Sequence, residues 1–282
     1  MKSIPKFLTC LALVLVSLCV NAQYYYKDII TTQQVSNNYH LMKKANVATV
    51  VLKSFIQNNE VTEGFDCNQK VSAAQDKVIT YTKTTDAGES FFTAFYNKND
   101  LLIETIDSSS HLVSTTDYSY DASNRLTGIK SSSQAANIVN VEVHTWQYNE
   151  KGNPVSMLRV RNGADTTWIT YVLDDKGNPT EEHAKRNVAI PQPTVFYYYD
   201  DNHRLTDVVR YNQKAKRMLP DYMFEYDESN KISVMTVVPE GSNDYQKWYY
   251  KYDEDGLKAA DFCYNKKNEL QGKILYDYTY TK

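Results

Sequence analysis

Large apolar and aromatic side chains recur two residues apart along most of this chain. Tyr118 and Tyr120, Trp146 and Tyr148, Tyr197 and Tyr199, Phe224 and Tyr226, and Tyr250 and Tyr252 are such pairs, and Ile169, Tyr171 and Leu173 make a triplet. Spacing of two places each set on one face of a β-strand. Ser119, Gln147, Glu225 and Lys251 stand between them and mark the wetter face. Tyr198 and Val172 break that alternation, which predicts units four and five covered on both faces. The N-terminal part reads differently. Within residues 29–46 Val35, Tyr39 and Met42 recur at helical spacing, and Thr31 or Thr32 can cap the start, so one short amphipathic helix is expected over the end of a sheet. From Val47 the β-branched run VATVVLKSFI opens the strand region.

A phrase follows each aromatic pair. It reads YNKNDLL from Tyr96, YDASNRLT from Tyr120, YNEKGNPV from Tyr148, LDDKGNPT from Leu173, YDDNHRLT from Tyr199, YDESNKIS from Tyr226 and YDEDGLKA from Tyr252. Those starts span 156 residues in six intervals, a mean period of 26. A fixed period of this size marks a repeat architecture whose units bury their apolar faces against one another. The Asp or Asn after the aromatic can bond its own backbone two residues on, and a Gly or Asn further along tolerates positive φ. Gly152, Gly177 and Gly256 are assigned that position, with Asn124, Asn202 and Asn230 in the other units. A second turn must fall midway, at 131–137, 161–165, 187–193, 212–218, 239–244 and 265–270, so each period is a hairpin. Residues 47–282 then hold about 16 to 18 strands, more than an open sheet carries without curling.

Composition adds a setting. Lys2 and Lys6 precede the apolar run Phe7–Val20, and Ala22 ends it, the pattern of a secretory signal peptide cut after Ala22. A lipid anchor at Cys19 is disfavoured by Leu18 before it. Of four cysteines, Cys67 and Cys263 then remain, as a disulfide or as two buried thiols. Net charge is −3 with the signs interspersed, which excludes a nucleic-acid footprint and a polybasic membrane patch.

Candidate chemistry is sparse. His40, His111, His144, His183 and His203 show no metal-ligand spacing, so no metal or cofactor is expected. Asp174-Asp175, Asp200-Asp201 and Asp253-Glu254-Asp255 read as turn formers, because none supplies an EF-hand ligand set. No nucleophile elbow or phosphate loop is present and no catalytic residue is assigned. The candidate binding surface is the aromatic row Tyr197, Tyr199, Tyr222, Phe224, Tyr226, Trp248, Tyr250 and Tyr252. Exposed, it would be a platform for sugar rings or a protein partner; if the sheet closes, it is core.

The repeated units resemble the YD repeats of Rhs and wall-associated bacterial proteins, most closely in Asp121–Leu126 and Asp200–Leu205. Tyr148–Gly152 and Tyr252–Gly256 keep the aromatic and the glycine without Arg-Leu. The resemblance covers residues 90–282. It implies a spiralling β-sheet shell in an envelope or extracellular setting, enclosing or displaying a toxic C-terminal domain, with carbohydrate binding also attributed to such repeats. About seven units are few for a large capsule, and no cargo segment is expected after Lys282.

The resulting expectation is an all-β protein: residues 1–22 a signal peptide, 23–46 a helical cap, and 47–282 a long antiparallel meander of hairpin repeats in a strongly twisted or curled sheet. Its expected role is non-enzymatic, binding a glycan or cell-surface protein or acting as a structural element, in the periplasm, at the cell surface or outside. A cell-envelope hydrolase using a groove of the curled sheet is the alternative. A transmembrane barrel is set aside on the strand charges Glu142, Lys247 and Lys251 and on the lack of a continuous lipid-facing apolar band, so the mature chain is expected not to be an integral membrane protein.

Overall fold

The computed structural model describes residues 24–109, 112–135, 138–186, 193–212, 215–239 and 244–281. The signal-peptide reading, His111 and much of the 187–193 turn lie outside them. Among the described residues one α-helix, α1 (Lys27–Lys44), precedes the strands. These are β1 (Val47–Ile56), β2 (Asp66–Ser72), β3 (Lys77–Thr84), β4 (Gly88–Tyr96), β5 (Leu102–Ser109), β6 (Val113–Tyr120), β7 (Leu126–Ala135), β8 (Ile138–Tyr148) and β9 (Pro154–Arg161). The second half adds β10 (Asp165–Leu173), β11 (Pro179–Arg186), β12 (Val195–Tyr199), β13 (Leu205–Asn212), β14 (Arg217–Tyr226), β15 (Ile232–Val237), β16 (Gln246–Tyr252), β17 (Lys258–Asn265) and β18 (Leu270–Tyr280).

Each strand pairs antiparallel with the next, and β1 also pairs with β18, from Val47 opposite Tyr280 to Ile56 opposite Gly272. The sheet is therefore a closed 18-stranded barrel, which corrects the expected open, curled meander. Every strand has a neighbour on both sides once the first meets the last, whereas a curled sheet would leave two edge strands. A period-two pattern cannot reveal this, because closure depends on twist accumulated over all the strands.

Closure also relocates the helix. With no edge to cover, residues 24–44 cross the interior. Tyr24 and Ile30 pack with Val195, Tyr197, Leu205 and Val208 of β12 and β13, while Tyr39 stacks on Tyr96 of β4 at 3.8 Å. β4 and β13 lie nine strands apart in a ring of 18, on opposite walls. An 18-residue helix is about 27 Å long, enough to bridge them. Tyr26 holds the N-cap position without a side-chain cap; Thr31 and Thr32 lie inside the helix, where their hydroxyls bond back to the carbonyls of Lys27 and Asp28. Val35 is exposed, while Tyr39 and Met42 are buried.

One sequence expectation about faces changes as well. Tyr198 and Val172 stand on the outer wall about half exposed, at 53% and 45%, rather than covered. Cys67 and Cys263 sit on β2 and β17 with β18 and β1 between them, so they are not bridged. Three strand spacings, about 14 Å, exceed disulfide reach.

Candidate functional site

The repeated phrase builds one turn eight times. The amide of the Asp or Asn donates to the carbonyl four residues on, from Asn97 to Leu101 through Asp200 to Arg204 and Asn265 to Glu269. Its side chain accepts in return, as Asp121 does from the amides of Ser123 and Arg125. The fourth residue takes positive φ: Asp100, Asn124, Gly152, Gly177, His203, Asn230, Gly256 and Asn268. His203 therefore replaces the expected Asn202, and 265–269, read as a midway turn, is an eighth copy.

The aromatic and the Arg tie neighbouring units together. Tyr120 Oη donates to the Leu102 carbonyl at 2.6 Å, Tyr148 to Leu126 at 2.6 Å, Tyr199 to Pro179 at 2.8 Å, Tyr226 to Leu205 at 2.7 Å, and Tyr252 to Ile232 at 2.9 Å. Arg204 closes its own turn on Asp200, holding that carboxyl below its usual range, and lies 4.6 Å over the Tyr226 ring of the next unit. Arg125 does the same with Asp121 and the Tyr148 ring at 4.9 Å. The units that begin at Tyr120 and Tyr199 thus bond backward through their Tyr and forward through their Arg.

All eight residues of the predicted binding row stand on the inward register. Tyr197 and Trp248 are buried, the latter beside Cys263. Tyr222 and Phe224 stack at 6.2 Å, and Tyr24 meets Tyr222 edge-on at 5.6 Å. Tyr199, Tyr226 and Tyr252 make the carbonyl bonds above, and Lys258 Nζ lies 4.1 Å over Tyr250. Part of the row therefore contacts the N-terminal segment of the same chain.

Polar residues not singled out from sequence organise the interior. Glu182 is 2% exposed and accepts from four groups: the Tyr25 amide at 2.9 Å, the Tyr26 amide at 3.1 Å, Tyr171 Oη at 3.2 Å and Tyr197 Oη at 2.7 Å. Burial raises its pKa, against these four donors. His144 bridges Asp28 of α1 at 2.6 Å and Glu142 at 2.9 Å, and Glu142 continues to Arg159 at 2.6 Å. Burial pulls His144 down, but the two carboxylates outweigh it and push its pKa to about 9; burial raises Glu142, but His144 and Arg159 take it to about 2. At the other end of α1, Lys43 pairs with Asp76 and Asp100 and His40 with Asp100. The one available signal was weak. In β11, PTEEHAKR, the inward set Glu182, Ala184 and Arg186 is itself mostly charged, as is the outward set. Among the described residues, no three His, Cys, Asp or Glu side chains form a metal-ligating group.

Neither a protein-family model nor a curated protein matches this sequence. Among solved structures the chain is similar to a porin-like protein from Bacteroides uniformis, at 10% identity and TM-score 0.38 over 83% of this chain and 98% of that one. It is also similar to part of the TcdB2-TccC3-Cdc42 complex, at 10% identity and TM-score 0.24 over 79% of this chain and 18% of that one.

Closure overturns the expectation that the mature chain is not an integral membrane protein, which rested on the strand charges and on the lack of a lipid-facing apolar band. A closed barrel has no unpaired edge, the condition a membrane-spanning sheet must meet. Of the charges weighed against spanning, Glu142 points inward to His144 and Arg159 and has no bearing on the outer wall; Lys247 and Lys251 alternate with the inward Trp248 and Tyr250 and belong to the outer register. That wall also carries the Lys53–Asp277 pair and the exposed Trp168 and Tyr198.

Proposed function

We propose that this chain is an exported β-barrel of the bacterial cell envelope, assembled from YD-type hairpin units, that acts without catalysis, by binding a glycan or cell-surface protein or as a structural element. The commitment of Glu182, His144, Asp76 and Asp100 to the chain's own N-terminal segment carries this reading. Glu182, His144, Asp76 and Asp100, the groups on which a hydrolase would draw, hold residues 25–43 in place. The shared hydrogen-bond scheme of the turns and the Tyr–Arg ties support the YD-type assignment. The test is a glycan array and an envelope-protein overlay with the chain from Gln23 onward, alongside assays for release of fragments from peptidoglycan and capsular polysaccharide. Saturable binding without product is expected; catalytic turnover would overturn the reading. Alkaline carbonate extraction of envelopes from the native host reports whether the barrel is held within the bilayer.

A further inference from the structure

Among the described residues, five side-chain polar atoms are buried without a hydrogen-bond partner, and four of them lie on one stretch of the inner wall. They are Trp146 Nε1, Arg159 Nε, Thr167 Oγ1 and Arg186 Nε. The register sets Arg159 opposite Thr167 and Thr167 opposite Arg186, so these three stand at one level on β9, β10 and β11. Trp146 belongs to the adjacent inward row, opposite Met157. All four atoms can donate, and three of them cannot accept. A buried donor left unmade costs about 1–3 kcal/mol, so four together call for an acceptor-rich guest.

The nearby carboxylates do not fill that need. Glu142 is bonded to Arg159 Nη2, while Asp165 takes Arg159 Nη1 and Arg186 Nη2, which leaves both Nε atoms and the hydroxyl between them. Thr167 is 1% exposed and Arg159 9%, whereas the side chains of Arg186 and Asp165 are each 37% exposed. The row therefore runs from a sealed end at Arg159 to a solvent-reached end at Arg186. Tyr25 stands beside the sealed end, edge-on at 5.8 Å to His144, which pairs across the strands with Arg159.

We propose that Arg159, Thr167 and Arg186 form a binding site for a small oxyanion, a carboxylate or phosphate group, with Tyr25 beside its sealed end. Guanidinium N–H groups flanking a hydroxyl donor match the oxygens of such a ligand and give charge-assisted bonds. Inorganic phosphate and the carboxylate of an acidic sugar share this chemistry. The site does not depend on the envelope reading, and would stand if that reading failed.

The experiment titrates the chain from Gln23 onward with sodium phosphate and, separately, sodium glucuronate, by calorimetry at constant ionic strength. Saturable binding of at least one anion is expected, weakened about tenfold or more by Thr167→Val, a loss of about 1.4 kcal/mol. Binding of phosphate alone assigns a free oxyanion, and binding of glucuronate a sugar acid. Thr167→Val should leave the melting temperature of the ligand-free protein unchanged or higher, because the hydroxyl it removes has no partner. Absence of saturable heat with both anions, equal binding by wild type and variant, or a ligand-free Thr167→Val protein that melts lower would each overturn the site.

Discussion

Raising the pH through the titration of His144 should loosen the helix from the barrel wall. His144 is 8% exposed between Asp28 and Glu142, which are 13% and 26% exposed, so solvent screens this cluster little. The imidazole binds its proton with a pKa raised from 6.5 to about 9. A raised folded-state pKa means the stabilisation is complete below about 6.5 and is lost as pH rises through about 9. The rise from 6.5 to about 9 corresponds to about 3 kcal/mol. Glu142, held at about 2, reports the same contact from the other side and is not added; its share is present above 4.5 and lost as pH falls toward 2. Urea unfolding of wild type and His144→Gln at about pH 6 and about pH 9 isolates this contribution, since other titrations cancel in the difference. Wild type should lose about 3 kcal/mol relative to the variant over that range. A difference that does not change with pH would refute the assignment.

Other contacts give equally direct outcomes. Glu182→Gln replaces an acceptor-only group by one that presents its own N–H donors to the amides of Tyr25 and Tyr26; a loss of about 2–4 kcal/mol is expected, with faster amide exchange at those two positions. Tyr226→Phe deletes one tie between units, the bond to the Leu205 carbonyl, and should cost about 1 kcal/mol in chemical denaturation. Gly177→Ala places a Cβ 1.9 Å from the Asn153 amide nitrogen at a φ of +90°, so a loss of about 1–2 kcal/mol should appear as a lower melting temperature.

Much of the local structure was legible because it is written in short-range chemistry. An Asp or Asn after an aromatic, then a residue that tolerates positive φ, specifies a turn wherever it occurs, and the turns at Asn97, Asp121 and Asp227 formed where the phrase placed them. The helix was legible from Tyr39 and Met42, though its start lay earlier because Tyr26, with no capping side chain, precedes it. Positive φ at His203 rather than Asn202 shows the limit: position within the turn decides the conformation before residue preference does. The interior cluster was not legible. His144, Arg159 and Asp28 are separated by up to 131 residues, and only strand register and the path of α1 bring them together.

By itself, then, the sequence determined the strands, their turns and the two faces of each strand, since alternation and turn chemistry act within a few residues. The tertiary structure decided that the sheet closes, because the pairing of Val47–Ile56 with Gly272–Tyr280 depends on twist summed around the whole ring. It also decided which face became the interior. Alternation distinguishes two faces without saying which one curls inward, and the aromatic row became an inner wall once residues 24–44 crossed the barrel and packed against it.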